Sequence, residues 1–119
     1  TGKKPSKKPS RRSKLESDMG LQLERVGVDG FVPEYKFHSV RDWRFDYGHP
    51  DLKIAVECEG YTRDGKGRHQ NPDGMTEDAR KYNEAALWGW RVLRFTQPMV
   101  KSGEAVEVIQ RLVGRITQN

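Results

Sequence analysis

Hydrophobic residues recur along this chain with two different periods. Leu15, Met19, Leu23 and Val26 fall three and four residues apart, the spacing of one face of an α-helix. Ser13 stands where an N-cap belongs, and the helix is expected to run to about Gly27, weakened slightly by Gly20. The period then drops to two. Phe31 to Pro33 opens an extended run, and Tyr35 and Phe37 alternating with Lys36 and His38 predict a first strand. Two further runs, Asp42 to Tyr47 (DWRFDY) and Leu52 to Gly60 (LKIAVECEG), predict a hairpin around the turn residues Gly48, His49, Pro50 and Asp51. Alternation puts Trp43, Phe45 and Tyr47 on one face of the first run and Asp42, Arg44 and Asp46 on the other. It likewise opposes Leu52, Ile54, Val56 and Cys58 to Lys53, Ala55, Glu57 and Glu59. Paired, the runs collect Asp46, Glu57 and Glu59 on a polar surface of a sheet whose reverse is packed. Carboxylates crowded in this way repel one another, and a bound divalent cation is the usual remedy.

Beyond the hairpin, Gly60 to Gly74 (GYTRDGKGRHQNPDG) reads as a glycine-rich loop carrying Arg63, Lys66, Arg68 and His69, suited to contact with a phosphate backbone. Gly65-Lys66-Gly67 is not a P-loop, because the Gly-Lys-Ser/Thr ending and the helix after it are missing. A helix capped by Asp73 or Thr76 should bury Ala79, Tyr82, Ala86 and Leu87, show Glu77, Lys81 and Glu84 on its other side, and stop at Gly89. Trp90 to Phe95 (WRVLRF) is apolar on both faces and predicts an internal strand, ended by Thr96 to Lys101 with Pro98. Ser102 then caps a last helix with the stripe Ala105, Val106, Ile109, Leu112, Val113 and Ile116. The expected fold class is α/β (α+β), a small mixed sheet flanked by helices in the order α-β-β-β-α-β-α.

Charge changes the picture at one end. The 119 residues include 22 basic and 17 acidic ones, and mean hydropathy is −0.93, low for a compact fold. Lys3, Lys4, Lys7, Lys8, Arg11, Arg12 and Lys14 lie in the first fourteen residues without an acid among them, so the remainder carries a formal net charge of −2. Residues 1–14 are therefore expected to be a disordered basic tail, with a folded domain over 15–119. A polyanion is the natural partner of such a tail, and nucleic acid is favoured over membrane because no apolar stripe accompanies the charge. The single cysteine excludes an internal disulfide, no Cys-x-x-Cys pair supports structural zinc, and no apolar run is long enough for a signal peptide or a membrane span. A soluble, reducing, cytoplasmic setting is expected, and the opening Thr1 in place of Met reads as processing or trimming.

RFDYGHPDLKIAVECEG, followed by EDARKYNEAALWGWRVLRF, resembles the PD-(D/E)XK nuclease superfamily. Within it the likeness is to the compact branch of very-short-patch-repair-like and phage endonucleases, and it covers the chain from Leu15 onward. The resemblance implies a restriction-endonuclease-like fold, DNA as substrate, Mg²⁺ or Mn²⁺ as cofactor and a phage or mobile-element origin. It also implies roles for individual residues. Asp46 takes the place of the first aspartate and Glu57 that of the second acid, both as metal ligands. Glu59 stands where the superfamily usually has lysine and is read as a further ligand. Glu16 resembles an early helical glutamate that reaches the metal directly or through water, and Lys81, ahead of His69, is the candidate for orienting the attacking water. Asp51, although it follows Pro50, sits in the turn and is not the motif aspartate.

These residue types fit the chemistry on their own terms. Phosphodiester hydrolysis requires charge neutralised on the non-bridging oxygens, a nucleophilic water and a stabilised leaving oxygen. Trp43, Tyr82, Trp90 and Phe95 are expected in the core, with Tyr61 and Trp88 the aromatics freer to touch a nucleotide. The function expected is a metal-dependent DNA endonuclease, as monomer or homodimer, with the tail and loop cations holding DNA. The alternatives are a junction resolvase, a catalytically silent DNA-binding module of the same fold, and a metal-binding regulator, the last poorly served by the tail.

Overall fold

A computed structural model describes residues 13–60 and 72–118. Its elements are α1 (Lys14–Arg25), β1 (Val32–Lys36), β2 (Arg44–His49), β3 (Ile54–Glu59), α2 (Pro72–Leu87), β4 (Arg91–Thr96), α3 (Gln97–Ser102) and α4 (Glu104–Thr117). Ser13 caps α1 as expected, its hydroxyl accepting from the Glu16 N–H at 3.1 Å. Leu15, Met19 and Leu23 form the buried stripe of this helix, while Val26 lies past its end and is exposed. Gly20 has a packing reason that the pattern could not show. A methyl group there would stand 2.3 Å from the Tyr47 hydroxyl, which donates to the Glu16 carbonyl at 2.8 Å.

The sheet order is β1-β2-β3-β4. The first two pairings are antiparallel and the third is parallel, reached by a crossover through α2. This is the mixed, helix-flanked sheet that the periodicities predict. One cluster packs Leu15, Met19 and Leu23 of α1 with Tyr47, Val56 and Phe95 of the sheet and with Val100, Ala105 and Ile109 of α3 and α4. The other packs Phe45, Ala55 and Trp90 with Ala85 of α2. Alternation along β3 places Val56 and Ala55 on opposite faces, so both faces of the sheet are covered. Met19, Phe45, Ile54, Val56, Val100 and Ile109 are fully buried, each worth about 1.5–3 kcal/mol of apolar burial.

Several local expectations are corrected. Phe45 and Tyr47 do not share a face but join opposite clusters. The switch of phase falls at residue 46, beside Glu34, whose φ of 54° is left-handed. Gly48 and His49 belong to β2 rather than the turn: both are buried, and Gly48 is needed because a Cβ would meet the Tyr35 ring at 2.8 Å. β4 pairs only with β3, so it is an edge strand of the described sheet, apolar on both sides because helices cover both. Helix α2 begins at Pro72, ahead of both expected caps, and its buried residue is Ala85, whereas Ala79, Ala86 and Leu87 are exposed. Residues 97–102 form a short helix of their own. α4 starts after Gly103, with the Ser102 hydroxyl accepting from the Glu104 N–H.

Candidate active site

The β2–β3 ladder pairs Tyr47 with Val56, Gly48 with Ala55 and His49 with Ile54. Beyond Tyr47 and Val56, carboxylates make the bonds that main chain would otherwise supply. The Cys58 N–H donates to Asp46 Oδ2 at 2.7 Å, and the Asp46 N–H donates to Glu57 Oε2 at 3.3 Å. The two acids are thereby fixed at one fork of the sheet. A cleft of about 300 Å³ opens there, bordered by Glu16 from α1, by Asp46, Glu57 and Cys58, and by Asp78, Lys81 and Tyr82 from α2.

Helix α2 reaches this cleft with Asp78, Lys81 and Tyr82, an i, i+3, i+4 stripe that turns three polar groups inward above the buried Ala85. Lys81 Nζ lies 3.3 Å from both Glu57 oxygens, and the Tyr82 hydroxyl donates to Glu57 Oε1 at 3.1 Å. The ion pair is well shielded, with side-chain exposures of 13% for Lys81 and 11% for Glu57. Lys81 therefore pairs with the strand, not with Glu77 or Glu84 on its own helix.

Electrostatics mark the acids as under strain. Burial pushes the Glu57 carboxyl up to about 7, with the Asp46 charge adding to the effect and Lys81 opposing it. Glu16 also rises to about 7, first through burial and then through the charge of the neighbouring Asp46. Burial raises Asp46 as well, against the pull of the Cys58 N–H. Tyr82 is pushed up by burial and by Glu57, which keeps its hydroxyl a donor.

Asp46, Glu57, Glu16 and Lys81 thus border one cleft. Glu59 does not join them, being ion-paired with Arg94 on β4. Among the described residues no group of three or more His, Cys, Asp or Glu side chains forms a ready-made metal cage. The donor chemistry nevertheless fits a hard divalent ion of the magnesium type, which is commonly held by one or two carboxylates together with water and substrate phosphate. Buried carboxyl groups whose hold on a proton is raised, as at Glu57 and Asp46, are oxygens short of positive charge. His69, Arg63, Lys66, Arg68 and Tyr61 lie outside the described residues, as do Lys3, Lys4, Lys7, Lys8, Arg11 and Arg12. Trp90 and Phe95 are core, Trp88 is exposed, and Trp43 is half-buried at the cleft wall.

Sequence reasoning missed Tyr82, assigned to the core, and also Asp78 and Glu34. The inward stripe of α2 was the available signal for Tyr82 and Asp78. Glu34 had none, since its influence on Glu16 and Asp46 depends on strand register.

No family model matches the chain, and no curated protein matches it. The fold is similar to one solved structure, the catalytic domain of the homing endonuclease I-Bth0305I. The TM-score is 0.66 over 90% of this chain and 100% of that one, with 20% sequence identity. At that identity the likeness is one of fold. Among the described residues no helix is long and apolar enough to cross a membrane.

Proposed function

We propose that the chain is a divalent-metal-dependent DNA endonuclease of the PD-(D/E)XK type, hydrolysing phosphodiester bonds. The observation that carries this reading is the fork at which the Glu57 carboxylate is fixed by the Asp46 N–H and the Asp46 carboxylate by the Cys58 N–H, facing Glu16 across one cleft with Lys81 on Glu57. The fold shared with a homing endonuclease catalytic domain supports it.

Asp46 and Glu57 would hold Mg²⁺ or Mn²⁺, with Glu16 releasing its proton to assist. When bound, the cation neutralises charge on the phosphate and makes water easier to deprotonate. Lys81 supplies a fixed positive charge beside the reacting phosphate and a donor to orient the attacking water, worth most in a partly dry site. Tyr82 locks the Glu57 carboxylate in place. His69 is the other candidate for the water, and Glu59 could act as a ligand only after leaving Arg94. The basic tail and Arg63, Lys66 and Arg68 would hold DNA without regard to sequence, in a soluble cytoplasmic setting and, by the resemblance, in a phage-encoded context.

The test is incubation with supercoiled, single-stranded and branched DNA in Mg²⁺, Mn²⁺ or EDTA, with Asp46→Asn as control. Metal-dependent cleavage lost in the variant supports the reading, and cleavage that survives the substitution refutes the site. A second reading, a silent DNA-binding module, is favoured by the engagement of both Glu57 oxygens and of Glu59 with neighbouring side chains. It predicts binding without cleavage under every condition. Preferential cutting of branched DNA would point instead to a junction resolvase.

A further inference from the structure

The outer edge of the sheet is open. β4 pairs with β3 in unbroken register, from Arg91 opposite Ile54 to Thr96 opposite Glu59, and no described strand pairs with its other side. The Arg91 N–H donates inward, to the Lys53 carbonyl at 2.8 Å. Alternation then gives the main chain of Leu93 and Phe95 to β3 and turns that of Val92 and Arg94 to the free edge. Neither proline nor a bulge interrupts the strand, two of the usual devices that block an added one. Beside this edge a cavity of about 230 Å³ is floored by Leu93, Val108 and Leu112 and flanked by Arg111 and Arg115. The four α4 residues stand at i, i+3, i+4 and i+7, so one helix face supplies both the apolar and the cationic parts.

Arg91 lies two residues before Leu93 on the same face of β4. Arg91, Arg111 and Arg115 are exposed, and none of their side chains forms an ion pair or hydrogen bond with a described residue; Glu107, one turn before Arg111, does not pair with it. The cavity is on the sheet face opposite the acid cleft, since Leu93 packs with the cluster of α1, α3 and α4 whereas Glu57 is held by Lys81 and Tyr82 of α2. We propose that this edge and cavity take an extended acidic segment of a partner protein as an added strand. Its main chain pairs with Val92 and Arg94, and on the α4 face it presents an acid, an apolar residue and an acid at alternate positions, carboxylates on the three arginines and the apolar side chain on the floor. A second copy is a poor occupant, because two-fold pairing of β4 with itself brings the same arginines of both copies together. Residues 1–12 and 61–71 of this chain carry more cations than acids and are repelled likewise. A phosphate backbone would satisfy the arginines but leave the apolar floor and the edge N–H and C=O groups unused. The docking is independent of the endonuclease reading.

The test titrates the isotope-labelled full chain with the heptapeptide Ser-Glu-Thr-Leu-Thr-Glu-Ser at about 0.15 M salt, followed by NMR. Saturable shifts of the Val92 and Arg94 amides are expected, with hydrogen exchange slowed at both. The double variant Arg111→Gln, Arg115→Gln, at exposed positions of α4 and with its spectrum reporting folding, should bind about ten-fold more weakly or worse. A fully N-methylated peptide of the same sequence, which keeps the charges but cannot donate to the edge, should lose binding at β4. Shifts absent from β4 or confined to the first twelve residues, undiminished binding by the double variant, or equal binding of the N-methylated peptide overturns the inference. A short thymidine oligonucleotide giving the same shifts at β4 also overturns it, in favour of a phosphate site.

Discussion

Replacing Glu57 by Gln isolates the cost of keeping a carboxylate at the fork. Gln does not titrate; its one carbonyl oxygen can keep the bond from the Asp46 N–H while the Tyr82 hydroxyl turns to accept from its NH2. In the wild type the carboxyl rises from an ordinary 4.5 to about 7, with burial as the leading cause. Between those values the folded chain binds more protons than the unfolded one. The stability this provides is fully present below pH 4.5 and is lost as pH rises through about 7. Each tenfold in proton affinity is worth about 1.4 kcal/mol, so the full loss is about 3 kcal/mol, on the order of 10 °C in Tm for a domain of this size. Urea unfolding in EDTA from pH 5 to pH 8 should show the wild type losing about that much more stability than E57Q, because Glu16 and Asp46 titrate in both proteins. Identical pH dependence of the two would refute the buried, strained acid on which the site reading depends.

Other perturbations probe separate parts of the account. Gly20→Ala should destabilise the fold by about 1–2 kcal/mol in urea titrations, since crowding against the buried Tyr47 ring outweighs the gain of up to about 1 kcal/mol in helix propensity. Lys81→Gln should lower the cleavage rate by about a hundredfold or more while leaving DNA binding in EDTA nearly intact, because it removes the group that orients the water. Deleting residues 1–12, which spares the Ser13 cap of α1, should weaken DNA binding and flatten its salt dependence, with turnover of bound substrate changed less; unchanged affinity in a salt titration would contradict the role given to the tail.

Much of the fold was legible because local pattern and tertiary packing agree. Leu15, Met19 and Leu23 form a stripe wherever the helix packs, and Ser13 needs only the Glu16 N–H three residues on to cap it with its hydroxyl. The failures arise where a long-range contact decides. Phe45 and Tyr47 part company because the strand changes phase at Asp46, and single-sequence alternation carries no sign of such a switch. His49 looks like turn chemistry but is buried against Phe31 and Gly30, where a Cβ on Gly30 would meet its ring at 2.3 Å. Trp90 to Phe95 reads as internal because helices cover both sides of an edge strand. The pairing of Asp46 with Glu57 could be read from the hairpin, whereas the departure of Glu59 to Arg94 required the parallel partner strand to be in place. Tyr82 was misjudged through its helix face: the exposed Ala86 and Leu87 suggested the wrong side of α2.

Titrating Mn²⁺ into the chain while following the free ion by electron paramagnetic resonance tests most directly whether the fork is a metal centre. The account predicts saturable binding by the wild type and marked weakening in both Asp46→Asn and Glu57→Gln. Undiminished binding in both variants, or no binding by the wild type with DNA present, would contradict it.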